Sequence, residues 1–140
     1  MAEVSASRRL AASKPVVANH LDPGALLELE GTFAVDEVAE TDDGWRVAAS
    51  ATGMRAEFAV RAFADGDVEG YEYEQVGDTG PFASMWTRLA LAPESDGTTV
   101  SVESTVDLGL PLAVVTDRVA AWKRRGELDR LLDRLADAVE

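Results

Sequence analysis

At 140 residues with no cysteine, the chain has the length of one domain, 1–140, that buries roughly two-thirds of its unfolded surface without disulfide staples or thiolate metal ligands. A formal charge of −13, from 26 acidic and 13 basic side chains, repels nucleic-acid phosphate and anionic headgroups, so nucleic acid is excluded as a partner. No apolar run approaches the ~20 residues of a membrane span, which excludes membrane insertion.

Met1-Ala2-Glu3 is followed by alternation and not by a basic segment and an apolar run, so a cytoplasmic location is expected. Only Lys14 and Lys123 are lysines, and Asn19 and Gln75 are the lone amides. With the acidic excess this is the composition of a salt-adapted cytoplasm, in which salt screens self-repulsion. Stability is therefore expected to rise steeply between low and molar salt. A melting temperature flat across that range would refute the reading.

In chain order, Glu3 to Leu10 alternates around Val4, Ala6 and Leu10 and predicts a first strand. Ser13 and Pro15 open a short helix carrying Val16, Val17 and Leu21. Asp22 caps a second one carrying Leu26, Leu27 and Leu29. Gly31 to Glu40 reads as a strand with Phe33 and Val35 on one face, and Thr41-Asp42-Asp43-Gly44 is a hairpin turn. Trp45, Val47, Ala49 and Ala51 then share a face, as do Met54, Ala56, Phe58 and Val60. Asp65-Gly66-Asp67 turns the chain into a strand with Tyr71, Tyr73 and Gln75 on one side. After Asp78-Thr79-Gly80-Pro81, Met85, Thr87, Leu89 and Leu91 alternate with Ser84, Trp86, Arg88 and Ala90. Ser95-Asp96-Gly97 leads to a last strand with Val100, Val102, Ser104, Val106 and Leu108 on one face. Hairpin spacing throughout implies an antiparallel sheet of six or seven strands with one face wet.

From Pro111 to Val139 the pattern becomes helical. Val114, Ala121, Leu128, Leu132, Leu135 and Val139 form one stripe, expected to grip the sheet. Leu112, Val115, Val119 and Trp122 form a second stripe, which either packs under the short helices or lines a cavity mouth. The fold class is thus α+β: a curved antiparallel sheet around a long C-terminal helix, with two short helices after the first strand.

Asp22-Pro23, Tyr71-Glu72-Tyr73-Glu74, Gly80-Pro81-Phe82-Ala83 and Leu128-x-x-x-Leu132-x-x-Leu135 occur in that architecture. Together they resemble the helix-grip fold of the START-like, or SRPBCC, superfamily of polyketide cyclase and lipid-transport proteins. The pattern is similar to the CoxG-like members, those related to carbon monoxide dehydrogenase. Many relatives carry a large aromatic after the proline of the first helix, where this chain has Val16-Val17. The resemblance implies a hydrophobic cavity between sheet and helix, holding a small apolar ligand such as a lipid or polyketide-like molecule. Fold alone does not separate a carrier from an enzyme.

On this reading Met54, Phe58, Tyr71, Tyr73, Met85, Thr87, Ser104, Val115 and Trp122 are the candidate ligand-binding residues. The tyrosine hydroxyls are polar handles in an apolar pocket, or else close the core and bond to backbone. Methionines adapt to irregular ligands, and the Ser104 hydroxyl needs a partner. Arg118 and Arg125 flank the main helix stripe and read as solvated arginines.

No catalytic residue is assigned and no cofactor or metal is expected. Two carboxylates in each of the turns Asp42-Asp43 and Asp65-x-Asp67 supply too few oxygens for calcium. The alternatives are a cyclase or dehydratase using Tyr71, Tyr73 or His20, and an interaction module whose exposed Trp122 and Trp86 bind another protein; a homodimer or a protein partner is left open.

Overall fold

The strand alternation closes into one sheet. The computed structural model describes residues 2–51, 53–80, 82–107 and 113–140, with side chains from 118 onward in the last stretch. The elements are β1 (Ala2–Leu10), α1 (Lys14–Ala18), α2 (Pro23–Glu30), β2 (Ala34–Thr41), β3 (Gly44–Ala51), β4 (Met54–Asp65), β5 (Val68–Gln75), β6 (Ser84–Glu94), β7 (Gly97–Asp107) and α3 (Ala113–Val139). The seven strands run in the order β1-β7-β6-β5-β4-β3-β2, and every neighbouring pair is antiparallel. The sheet curves around α3, with α1 and α2 following β1.

Both short helices start as their sequences predict. Asp22 caps α2, its carboxylate accepting the Ala25 amide at 2.7 Å, and Pro23 sits in the first turn. Pro15 occupies the first turn of α1, but Ser13, in the capping position, makes no side-chain cap bond. β2 starts three residues later than the alternation from Gly31 predicts. Gly31 ends α2 in the left-handed conformation, φ 83°, and Thr32 and Phe33 carry the chain round before pairing begins.

The concave face is the core. Val47, Ala49, Ala56, Phe58, Val60, Tyr73, Leu89, Leu91, Val100, Val102 and Val106 are buried on it, beneath Leu128, Leu131, Leu132 and Leu135 of α3. The packed line of α3 is rotated from the predicted stripe toward Leu131 and also includes Ala120, Arg124 and Glu127. Val114 and Val115 lie outside the described side chains, and Leu108, Pro111 and Leu112 outside the described residues.

Val119 and Trp122, the members of the second helix stripe with described side chains, are not packed under the short helices. Val119 is 53% and Trp122 79% exposed, because the buried arc of α3 lies on the other side of the helix. β5 and β6 approach closely at Gly70, where a Cβ would stand 1.9 Å from the Leu89 carbonyl oxygen. Among the described residues no helix is long and apolar enough to cross a membrane.

Candidate functional site

Pairing register brings three predicted residues into one rung. Tyr73 of β5 lies opposite Thr87 of β6, and Thr87 opposite Ser104 of β7. Val60 and Val4 continue the rung on either side. Since paired residues project to the same face, the three hydroxyls line up across the centre of the concave sheet.

Above that rung α3 places Arg124, which is 1% exposed. Its Nε donates to Ser104 Oγ at 3.0 Å and its Nη2 to Thr87 Oγ1 at 2.7 Å. Its Nη1 lies 2.5 Å from Glu30 Oε1 and 3.3 Å from Glu127 Oε1. Glu30, the last residue of α2, also accepts the Tyr73 hydroxyl at 2.7 Å. Glu127 takes the Thr32 hydroxyl on its other oxygen. Thr87 and Ser104 lie 2.8 Å apart, and Ser104 donates to the Trp86 carbonyl at 3.1 Å. The Met85 sulfur completes the guanidinium's surroundings at 3.9 Å from Nη2. Among the described residues no buried side-chain nitrogen or oxygen lacks a partner.

The cluster is charged and buried. Burial pushes the Glu30 carboxyl above the usual carboxylate range, while Arg124 pulls against that shift. Burial, reinforced by Glu30, raises the Tyr73 phenol well above its ordinary value, so it stays a donor. For Arg124, burial opposes the charge, but Glu30, the Tyr73 oxygen and Glu127 outweigh it and the pKa is raised. One cation and two carboxylates therefore sit where an apolar interior is expected. Chemically, the arrangement is a buried guanidinium whose nitrogens are taken up by Glu30, Glu127, Thr87 and Ser104, beside the Tyr73–Glu30 hydrogen bond.

Of the predicted residues, Tyr73, Met85, Thr87 and Ser104 meet around Arg124. Phe58 is buried nearby and packs edge-on against Phe33, ring centroids 5.8 Å apart. Tyr71 is half-buried against Trp45 at 6.2 Å, and it lines a small surface depression with Ala18, Leu21 and Leu91. Met54 lies at the start of β4, 44% exposed, away from the cluster. Trp122 points to solvent on the opposite side of α3 from Arg124. Tyr73 bonds to a buried carboxylate instead of backbone. Gln75 closes the turn after β5, donating to the Phe82 and Gly77 carbonyls at 2.6 and 3.0 Å. His20 sits at the surface, its Nδ1 3.0 Å from the Val16 carbonyl oxygen.

Sequence reasoning missed Arg124, Glu30 and Glu127. The signal was present: Arg124 precedes Leu128, Leu131 and Leu135 by 4, 7 and 11 residues, on one arc of α3. Glu30 likewise follows Leu26 and Leu27 at helical spacing. Arg118 and Arg125, the arginines weighed from the sequence, are both exposed. Among the described residues no three His, Cys, Asp or Glu side chains are grouped to hold a metal ion.

Comparison with known proteins agrees with this architecture. A START superfamily protein from Mycobacterium smegmatis superposes with a TM-score of 0.69 at 20% identity, covering 98% of this chain and 96% of that one. A STAR-related lipid transfer protein from Xanthomonas axonopodis gives 0.67 at 19% identity, covering 95% and 85%. An uncharacterized protein from Bacillus thuringiensis gives 0.74 at 16% identity, covering 99% and 98%. At such identities the likeness establishes the fold alone. No curated protein matches the chain. The family model described as polyketide cyclase / dehydrase and lipid transport matches residues 1–140, and the chain belongs to that family.

Proposed function

We propose that the chain binds a small, mainly apolar molecule with a hydrogen-bonding or ionisable end, held between the sheet and α3 with that end against the Arg124 cluster. The observation that carries this reading is the cluster itself. A buried ion network of this kind is generally no more stable than well-packed apolar residues of the same volume. Its position at the centre of the grip therefore favours recognition over stability as its purpose. The family description, lipid transport and polyketide chemistry, names processes acting on such molecules.

Phe58, Tyr73, Met85, Thr87 and Ser104 form the lining, with Arg124 added. Met85 is the side chain best able to give way to a ligand, having three rotatable bonds and no branch. We read residues 1–140 as one domain of a cytoplasmic, salt-adapted protein of the CoxG-like type. The salt-dependent melting described above tests the adaptation.

Native mass spectrometry of protein purified in high salt tests the binding. An adduct of small-molecule mass is expected on the wild type and absent from Arg124→Met. As a direct probe, cis-parinaric acid, a fluorescent polyene fatty acid, is expected to light up on binding wild type and to lose at least tenfold in affinity on Arg124→Met. A circular-dichroism melt identifies folded variant. No adduct and no probe binding, or equal binding by folded Arg124→Met, would end the proposal.

The Tyr73–Glu30 hydrogen bond favours a second reading, acid–base catalysis on the bound molecule. Burial keeps a proton on this pair more readily than on surface groups. Under that reading Tyr73→Phe retains uptake but abolishes conversion of the ligand. Under pure carriage the ligand is returned unchanged by both proteins.

A further inference from the structure

Of the chain's 13 cations, seven are ion-paired. Among the described residues the other six have no carboxylate within ion-pair distance, and five of those six stand exposed on α3: Arg118, Lys123, Arg125, Arg130 and Arg134. The sixth is Arg55. Arg130 and Arg134 each spend a donor on the Glu30 and Glu28 carbonyls, which leaves their charge in place. At about 100° per residue, Trp122, Gly126 and Val119 fall within about 40° of the direction opposite Arg124, the outermost line of the helix. Trp122 and Val119 are the two most exposed large apolar side chains described. Arg118 and Arg125 stand about 60–80° to one side of that line, and Arg130 and Lys123 about 60–80° to the other. From Arg118 to Gly126 the sequence holds no acid. Asp129 follows, and Asp133 is taken by Arg8 at 2.6 Å. Gly126 is unfavourable inside a helix, and packing does not demand it: an added Cβ would meet only Arg130 Nη1, at 3.6 Å. It leaves a shallow depression between Trp122 and Arg130, bordered also by Lys123, Arg125 and Asp129.

We propose that this ridge docks the protein on a bilayer surface containing anionic phospholipid, with the first half of α3 lying in the plane of the headgroups. Trp122 and Val119 enter the boundary between headgroups and acyl chains, where an indole finds apolar contact for its ring and a polar partner for its N–H. The four flanking cations reach sideways to lipid phosphates, their aliphatic stems covering the margins of the apolar strip. Three features choose this occupant. An apolar strip with cations along both margins is the pattern of a helix that lies on a membrane. Free phosphate would satisfy the cations and leave the indole in water. An acidic protein would need a groove shaped to Trp122, which stands on a ridge, whereas a fluid surface accepts the indole anywhere. The formal charge of −13 still repels the rest of the molecule from such a surface. The contact is therefore confined to this face, is weak, and fades as salt rises. It rests on the bilayer and does not cross it. Docking of this face is independent of what the Arg124 cluster, on the other side of α3, binds.

Vesicle flotation tests this, with the full chain at the lowest salt at which its circular dichroism is that of the folded protein. Wild type is expected to float with vesicles of equal parts phosphatidylcholine and phosphatidylglycerol, and at least about tenfold less with phosphatidylcholine alone. Trp122→Ala and Arg125→Glu should each weaken binding to the mixed vesicles by about tenfold. Arg55→Glu makes the same change in net charge at the start of β4 and should weaken it by less than about twofold. Phosphatidylcholine brominated in its acyl chains should quench the tryptophan fluorescence of wild type clearly more than that of Trp122→Phe, which keeps Trp45 and Trp86. No flotation at any phosphatidylglycerol content would overturn the proposal. So would equal losses in Arg55→Glu and Arg125→Glu, or quenching unchanged in Trp122→Phe. Full release by inorganic phosphate at constant ionic strength would overturn it in favour of a soluble anion. Trp122-dependent binding to poly-L-glutamate without flotation would overturn it in favour of an acidic protein.

Discussion

Arg124→Ala is expected to lose about 3–5 kcal/mol of folding stability at neutral pH, because it strands two buried carboxylates without their cation. For a domain of this size the melting temperature should fall by about 10 °C or more. Urea denaturation with two probes measures it. The loss should shrink on acidification, since a protonated Glu30, whose carboxyl is already pushed up by burial, needs no counter-charge. Replacing the triad together with Met at 124 and Leu at 30 and 127 should recover most of the loss, because no ion is then left in the core. A pH series on Glu30→Gln separates the Glu30 contribution. Its carboxyl is pushed up on folding, so the folded state holds that proton more tightly than the unfolded one. Wild type should therefore gain on Glu30→Gln below the ordinary carboxylate pKa and lose that advantage as pH climbs through the raised value. An advantage that instead grows with pH would show that Arg124 dominates the burial.

Gly70→Ala is expected to cost about 3 kcal/mol or more, with no charge involved. The added methyl would meet the Leu89 carbonyl oxygen at 1.9 Å, and that oxygen belongs to sheet backbone that cannot turn aside. Relieving the clash separates β5 from β6 just before Tyr71 and Tyr73. Gly66→Ala is the comparison: its φ is +61° with open space around it, so only the left-handed conformation opposes a side chain, at about 1–2 kcal/mol. Circular-dichroism melts of the two variants should therefore differ clearly. Equal melting temperatures would mean that the strands part more easily than their packing implies.

Most of the frame is legible in the sequence alone. Period-two alternation picks out the inward residues of β3 to β7, since each strand has one wet face and Asp-Gly marks the turns before β3, before β5 and before β7. Asp22 is legible as a cap because its chemistry is local. The start of β2 is not, because Gly31 is both a plausible strand residue and a helix terminator, and α2 decides between them. The heart of the site is hidden for a different reason. Arg124 lies within Lys123-Arg124-Arg125, and a run of charges reads as solvated surface. Its burial depends on Glu30, 94 residues earlier in the chain, and on a rung whose register no local pattern specifies. The hydroxyls of Tyr73, Thr87 and Ser104 are each visible, but what they recognise is not. Trp122 misleads in the opposite sense: a large aromatic on a helix reads as packing, yet its arc faces away from the sheet.

The pairing of β1 with β7 has a consequence for the order in which the molecule is made. Ala2 to Leu10 waits for Thr98 to Val106, an interval of about 5–20 s at ribosomal speeds of about 5–20 residues per second. The helix that covers the concave face is translated after all seven strands. Nascent chains therefore carry a growing apolar surface and an unpartnered first strand until β7 and α3 have been made. Such long-range closure places the protein among slow folders. Ribosome-bound intermediates of this chain should need a holding chaperone to a degree that its finished form does not.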